Sequence, residues 1–302
     1  MRYVTLGDPH LGRKFRTGVP LDRIGDREAM VWRDFQKSLT EPGDVDLHVC
    51  MGDLFDSYLV APEVLLNAYN VYETAAENNP GVEFIILRGN HDQNKDTDRK
   101  SVFDIFTQIV DHIPNVTVIT KPFEIGGFGF VPYDVFTSAE EQVSCLSADV
   151  KTAFMHHDYV DFGGDHVIPT KKLADKGIIH IINGHDHVAR TETRHGVTVE
   201  MTGSMQPYSH AEDPEGAMYR TVHLEDVPED CRNLNLRVIL RDGEDMPTDL
   251  DCLSLVAKRV SSSGDETLEA DVEGFEKFDI RTSLAEVLHP EVRDELMEIF
   301  DD

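Results

Sequence analysis

The chain has 302 residues, carrying 57 acidic and 28 basic side chains for a formal charge of −29. That length provides for one large domain or two modest ones, and a hydrophobic fraction of 40% with 15 Phe excludes a wholly disordered acidic chain. So negative a surface, taken alone, argues against a nucleic-acid or anionic-membrane partner.

In chain order, the first half repeats a short apolar run, a polar cluster and a helix-like stretch. Arg2–Leu6, Val45–Met51, Val82–Leu87, Thr152–Met155 and Ile178–Ile182 are the apolar runs, short and in several cases rich in Val and Ile, as buried strands are. Asp26–Leu39 and Pro62–Ala76 read as amphipathic helices, with Pro62 suited to a first helical turn. Strands alternating with helices predict an α/β fold. Beyond His185 the pattern changes to alternating strands, Val188–Arg194, Val197–Met201 and Met218–Leu224, with a hairpin turn at His195-Gly196. A mixed sheet is therefore expected. Near Asp226–Asp230 the composition shifts: residues 226–302 carry 22 acidic and 8 basic groups, net −14, against 35 and 20 in residues 1–225. This divides the chain into a domain at 1–225 and a small acidic region at 226–302, holding strand-like Leu234–Arg241 and Leu253–Val260, a Ser-Gly loop at 261–264 and a helical end.

No stretch approaches the roughly 18 apolar residues of a membrane span, and the first residues lack the apolar run of a signal peptide. The cysteines, Cys50, Cys145, Cys231 and Cys252, form no CxxC pair and read as buried free thiols in a reducing compartment. A soluble, intracellular (cytoplasmic) protein without membrane contact is expected.

The ends of the apolar runs carry the chemistry. Gly7-Asp8-Pro9-His10 follows the first, Gly52-Asp53 the second, Gly89-Asn90-His91-Asp92 the third, His156-His157-Asp158 the fourth and Gly184-His185-Asp186-His187 the fifth. Sites in open α/β sheets form beyond the carboxyl ends of strands, so five distant segments are expected to face one crevice. Asp, Asn and His without thiolate suit Mn(II), Fe or Zn rather than Ca(II), and one bridging carboxylate allows two adjacent ions. A single GD, NHD or His-x-His is usually a turn, a cap or a structural pair; five in order, each ending an apolar run, point to a metal centre.

This series resembles the calcineurin-like metallophosphoesterase superfamily, and within it the SbcD-type DNA repair nucleases and their phage recombination-endonuclease relatives. Gly52-Asp53-Leu54-Phe55-Asp56 matches the GDhFD form of that branch, and Gly203-Ser204 followed by Pro207-Tyr208-Ser209 is similar to its GSxxPxS segment. The resemblance implies a sandwich of mixed β-sheets flanked by helices, with a small α+β C-terminal capping region. It implies Asp8, His10, Asp53 and His187 around one divalent ion and Asp53, Asn90, His156 and His185 around a second, both expected to be Mn(II). Of the tandem His156-His157, the first, directly after the strand, is the expected ligand. His91 matches the catalytic histidine that binds no metal. Some relatives carry a histidine where this chain has Asp56.

Two divalent ions with Asp8 and Asp53 leave the site locally near +2, able to hold a phosphodiester and ionise a bridging water. Arg13, Lys14 and Arg16 are candidate DNA-phosphate contacts. Asp92 and Asp186 read either as partners that orient imidazoles or as turn and solvent groups; His48, His112, His166, His180, His195, His210, His223 and His289 read as surface or satisfied core groups. Thr282–Phe300 places Leu284, Leu288, Val292, Leu296 and Phe300 on one helical stripe. The resemblance assigns such C-terminal helices to docking on an SbcC-type coiled-coil ATPase, and implies a homodimer acting on DNA. The excess of Asp over Glu and of Arg over Lys also suits a protein kept soluble at high ionic strength.

Overall fold

A computed structural model of the chain describes residues 1–260 apart from 97, 98, 162, 248 and 249. The helices expected over Thr282–Phe300 lie outside the described residues.

β1 (Tyr3–Leu6), α1 (Asp26–Thr40), β2 (Leu47–Cys50), α2 (Pro62–Asn78), β3 (Glu83–Leu87), α3 (Val102–Val110) and β4 (Val116–Ile119) follow one another as strand–helix units. Their strands pair in the order β1-β2-β3-β4, all parallel. Alternation along these strands explains the sheet's place between two layers. His48 and Cys50 of β2, with Phe84 and Ile86 of β3, face α1, α2 and α3, where Phe35, Tyr72, Phe103 and Phe106 are fully buried. Leu47, Val49, Ile85 and Leu87 point the other way, onto Phe130, Phe154 and Ile182 of a second sheet. A strand buried on both faces must be apolar at almost every position, which is why β2 and β3 read as continuous runs.

The second sheet is built from β5 (Phe123–Ile125), β6 (Phe128–Val131), β7 (Thr152–Met155), β8 (His180–Asn183), β9 (Arg190–Arg194) and β10 (Val197–Met201), with α4 (Ala139–Ser144) and α5 (Thr170–Asp175) on its outer face. The order is β5-β6-β7-β8-β10-β9: the inner strands are parallel and both edge pairs antiparallel. The mixed character expected after His185 is thus confined to this sheet. The result is a four-layer α/β/β/α sandwich, the fold class anticipated from the sequence. The weakly patterned segments 102–146, with α3, β4, β5, β6 and α4, were not legible there. β5 has only three residues and Gly129 interrupts β6, so neither shows a usable alternation.

A third, three-stranded parallel sheet is formed by β11 (Tyr219–His223), β12 (Asn235–Leu240) and β13 (Ser254–Arg259). The compositional boundary at 225/226 falls between two of its strands: charge changes there, but hydrogen bonding continues from β11 to β12, and Met1–Val260 is one compact unit. This sheet rests on the loop after β1, where the Leu255 amide donates to the Gly18 carbonyl at 2.8 Å and Arg23 donates to the Arg232 carbonyl at 2.8 Å. Cys50, Cys231 and Cys252 are buried free thiols as expected, whereas Cys145, at the end of α4, is exposed. Among the described residues, no helix is long and apolar enough to cross a membrane.

His48, fully buried on β2 with Nε2 3.0 Å from the Ser38 hydroxyl, is pushed down by burial to about 4. Above about 6.5 neither folded nor unfolded chain protonates this ring. Between about 6.5 and 4 the unfolded chain takes a proton that the folded chain refuses, so stability falls with pH, by about 3 kcal/mol across the window. In His48→Leu that contribution should vanish. Urea midpoints of the two proteins measured from pH 7 to 4 should diverge at acid pH in the variant's favour.

Candidate metal centre

All five motifs sit at the strand ends where the sequence pattern placed them. Asp8 and His10 follow β1, Asp53 follows β2, Asn90 and His91 follow β3, His156 follows β7 and His185 and His187 follow β8. The carboxyl ends of the first two sheets converge on one point. Close approach demands residues without a side chain: a Cβ on Gly52 would run into the His156 ring, and one on Gly7 into the Gly203 carbonyl. Among the described residues, the non-glycine positions in the left-handed region are His10, Asp53, His185 and His195 (φ 45°, 47°, 70° and 53°). Such backbone costs about 1–3 kcal/mol per residue and is tolerated where surrounding structure over-determines it. Three of these four point side chains into the centre.

Among the described residues three groups of donors form, each with its ligand atoms within 4.8 Å: Asp8, His10 and His187; Asp53, His156 and His185; and, at the more exposed rim, His10, Asp56 and His91. In the first, His10 Nε2 and His187 Nε2 are 3.1 Å apart, and Asp8 Oδ2 is 3.6 Å from His187 Nε2. In the second, Asn90 Oδ1 lies 2.9 Å from both His156 Nε2 and His185 Nδ1. Asp53 reaches both: Oδ2 is 3.6 Å from His10 Nε2 and Oδ1 is 3.4 Å from His156 Nε2. Its two oxygens thus face different groups. The neighbouring His157 is equally buried but turns its ring toward Tyr133, with neither nitrogen hydrogen-bonded.

Electrostatics follow from burial. Asp8 and Asp53 are 0% and 1% exposed. Burial raises the Asp8 carboxyl, against the pull of His156. Burial opposes ionisation of Asp53 as well, but His156, His10 and His91 outweigh it and hold that carboxyl below its usual range. His156 loses solvation yet is driven up to about 10 by Asp53 and Asp8. Asp8 Oδ1 is buried without a hydrogen-bond partner. Buried carboxylates and imidazoles facing one another, with an acceptor oxygen left over, form a donor set that fits divalent cations.

Other residues divide into neighbours and outsiders. His91 stacks edge-on to His10 at 4.8 Å between ring centres, and its Nδ1 donates to the Asp56 carbonyl at 2.7 Å, leaving Nε2 for the cleft. Arg13 lies over the Tyr208 ring at 5.0 Å and 3.6 Å from Asp56, within the site's rim; Lys14 and Arg16 are on the same loop. Tyr208, from the segment following Gly203-Ser204, donates to the Asp8 and Pro9 carbonyls at 3.1 and 2.6 Å. Three further carboxylates among the described residues contact imidazoles of the centre: Asp158, 2.8 Å from His185 Nε2, Glu212, 3.2 Å from His187 Nδ1, and Asp56, 3.4 Å from His10 Nδ1. None was singled out as such from sequence. Asp158 is adjacent to a motif histidine and was findable; Glu212 comes from a loop 25 residues beyond His187 and was not.

Asp92 and Asp186 turn out to hold other groups. Asp186 pairs with Arg190 at 2.5 Å. Asp92, fully buried and pushed up by burial to about 7, accepts from the Leu54, Phe55 and Gly89 amides at 3.2, 2.9 and 2.9 Å, and so ties the loop carrying Asp53 to the loop carrying Asn90. Asp92→Ala leaves those buried amides without an acceptor and should cost about 3 kcal/mol or more, read as a lowered denaturant midpoint with an unchanged slope.

Comparison with solved structures finds distant likenesses. The Thermus thermophilus protein TT1561 is 13% identical, covering 68% of this chain and 90% of that one with a TM-score of 0.45. The phosphopantetheinyl hydrolase of Mycobacterium tuberculosis is 13% identical over 68% and 93% (TM-score 0.41), and the Pseudomonas putida nuclease MPE 15% identical over 69% and 82% (TM-score 0.33). No curated protein matches the chain. The family model for calcineurin-like phosphoesterases matches residues 1–189, a span holding every motif from Asp8 to His187. The chain belongs to the calcineurin-like phosphoesterase family.

Proposed function

We propose that the chain is the nuclease subunit of an SbcCD-like recombination and repair complex, a metal-dependent DNA endo/exonuclease that hydrolyses phosphodiesters at a dinuclear centre. The observation that carries the hydrolytic part is Asp53, whose two carboxylate oxygens face separate His/Asp groups beside His91. Asp8, His10, Asp53 and His187 would hold one divalent ion and Asp53, Asn90, His156 and His185 the other. Such ions supply Lewis acidity toward a phosphoryl oxygen and a water ionised near neutral pH. The nuclease assignment rests on the GDLFD form at 52–56 and the GSMQPYS segment at 203–209, and Mn(II), an SbcC-type ATPase partner, a homodimer and an intracellular location go with it.

His91 acts as the proton carrier in this reading. Its Nδ1–H is committed to the Asp56 carbonyl, which fixes the ring and leaves Nε2 to stabilise the phosphoryl group or protonate the departing sugar oxygen. Arg13, beside Asp56 and over the Tyr208 ring, would be the contact for an entering phosphate. His91→Ala should lower cleavage by about 10²-fold or more while leaving Mn(II) content unchanged. Loss of metal in that variant would refute the role.

Charge near the site favours a second reading. Asp56, Asp158 and Glu212 touch the ligand imidazoles, so with Asp8 and Asp53 five carboxylates surround two divalent ions, and Arg13 brings the whole close to neutral rather than +2. A small phosphodiester or phosphomonoester needs less cationic surface than a DNA strand. The deciding assay offers the purified chain, with Mn(II), labelled duplex and hairpin DNA beside a chromogenic phosphodiester. DNA cleavage that disappears in Asp8→Ala is expected; turnover of the small ester alone would favour the second reading.

A further inference from the structure

The two histidines of the Gly184-His185-Asp186-His187 motif present opposite nitrogens to the centre. His185 points Nδ1 at Asn90 Oδ1, 2.9 Å away, and has Nε2 against Asp158 Oδ1 at 2.8 Å. His187 points Nε2 at His10 Nε2 and Asp8 Oδ2, at 3.1 and 3.6 Å, and has Nδ1 against Glu212 Oε2 at 3.2 Å. A neutral imidazole carries one proton, and the nitrogen that donates it cannot also offer a lone pair inward. The inner neighbours, Asn90 Oδ1 and Asp8 Oδ2, are acceptors too, but with an ion between them and the ring the inner nitrogen would have to offer its lone pair, which leaves the proton to the outer nitrogen and its carboxylate.

We infer that Asp158 and Glu212 are positioning residues that lock these rings in opposite tautomers, Nε2–H for His185 and Nδ1–H for His187, one for each proposed ion. The inference rests on the metal-centre reading of the site and deepens it. Glu212 lies beyond the segment that matches the family model. Its carboxylate also accepts from the Tyr208 amide at 2.8 Å and the Ser209 hydroxyl at 3.1 Å. The loop that seats Tyr208 on the Asp8 and Pro9 carbonyls is thus the same loop that orients His187. Asp158 is held independently: its carbonyl accepts from the Ile168 amide at 2.9 Å and its amide donates to the His166 carbonyl at 3.1 Å. The two supports share no contact, so their loss should act on different ions.

The test uses the full chain. Long-range proton–nitrogen spectra of the Zn(II)-loaded, ¹⁵N-histidine-labelled protein should show the proton on Nδ1 of His187 and on Nε2 of His185. Mn(II) titration should show one of two ions weakened about 10–100-fold in Glu212→Ala and the other in Asp158→Ala. Because Glu212→Ala also loosens its loop, Glu212→Gln serves as the second variant. Its amide oxygen still accepts from Nδ1–H, so the tautomer should persist and affinity should recover in large part. Protons on the reversed nitrogens, or two ions held with unchanged affinity in both alanine variants, would overturn the inference alone and leave the proposed hydrolysis standing. A chain that takes up no ion would overturn both.

Discussion

Two carboxylates buried a few ångströms from each other's imidazole partners set the terms for the rest of this protein. Asp8 and Asp53 are essentially inaccessible, and a buried charge costs several kcal/mol unless it is compensated. Nearby hydrogen-bond donors go only part of the way. Asp53 Oδ1 accepts the His91 amide and Asp8 Oδ2 the His185 amide, each at 2.9 Å, while Asp8 Oδ1 is left with none. The remaining compensation must be cationic, which is why histidines from four loops crowd the same point. That crowding in turn requires Gly7 and Gly52 for clearance and forces His10, Asp53 and His185 into left-handed backbone. Such loops hold only because the strands before them are clamped in the double-sided core around Phe130 and Phe154.

What the sequence revealed follows the same logic. Strands buried on both faces are legible as apolar runs, and polar side chains placed directly at their ends are legible as punctuation, so the gathering of Asp8, His10, Asp53, Asn90, His156, His185 and His187 at one point could be anticipated. The choice of His156 over His157 followed from counting positions after a strand, and the ring of His156 is the one near Asn90 and Asp53. Contacts that depend on chain return were hidden. Nothing in the spacing of Glu212 tells that its loop folds back onto His187, and nothing around Asp92 distinguishes an orienter of imidazoles from an acceptor of backbone amides. The step in composition at 225/226 falls within a sheet, because acidity reports on solvent-facing side chains whereas β11 and β12 are joined through backbone hydrogen bonds.

The −29 charge takes on a different meaning at short range. Summed over the surface it opposes polyanions, but a Debye length of about 8 Å in physiological salt limits what distant carboxylates can do. Asp56, Asp158 and Glu212 matter more, since they stand against the imidazoles themselves. With ions bound they would strengthen the imidazole nitrogens as donors and leave less positive field for a substrate.

One tie in the small third sheet has a mechanical side. The Leu255 amide on β13 grips the Gly18 carbonyl, and Arg23 grips the Arg232 carbonyl, so the loop leaving β1 is stitched to that sheet at two points. Five residues before Gly18 stands Arg13, poised over Tyr208 and beside Asp56. The segment that carries Arg13 is therefore anchored from the third sheet as well as from β1, so a change that loosened β13 would reach the guanidinium beside Asp56 through the chain itself.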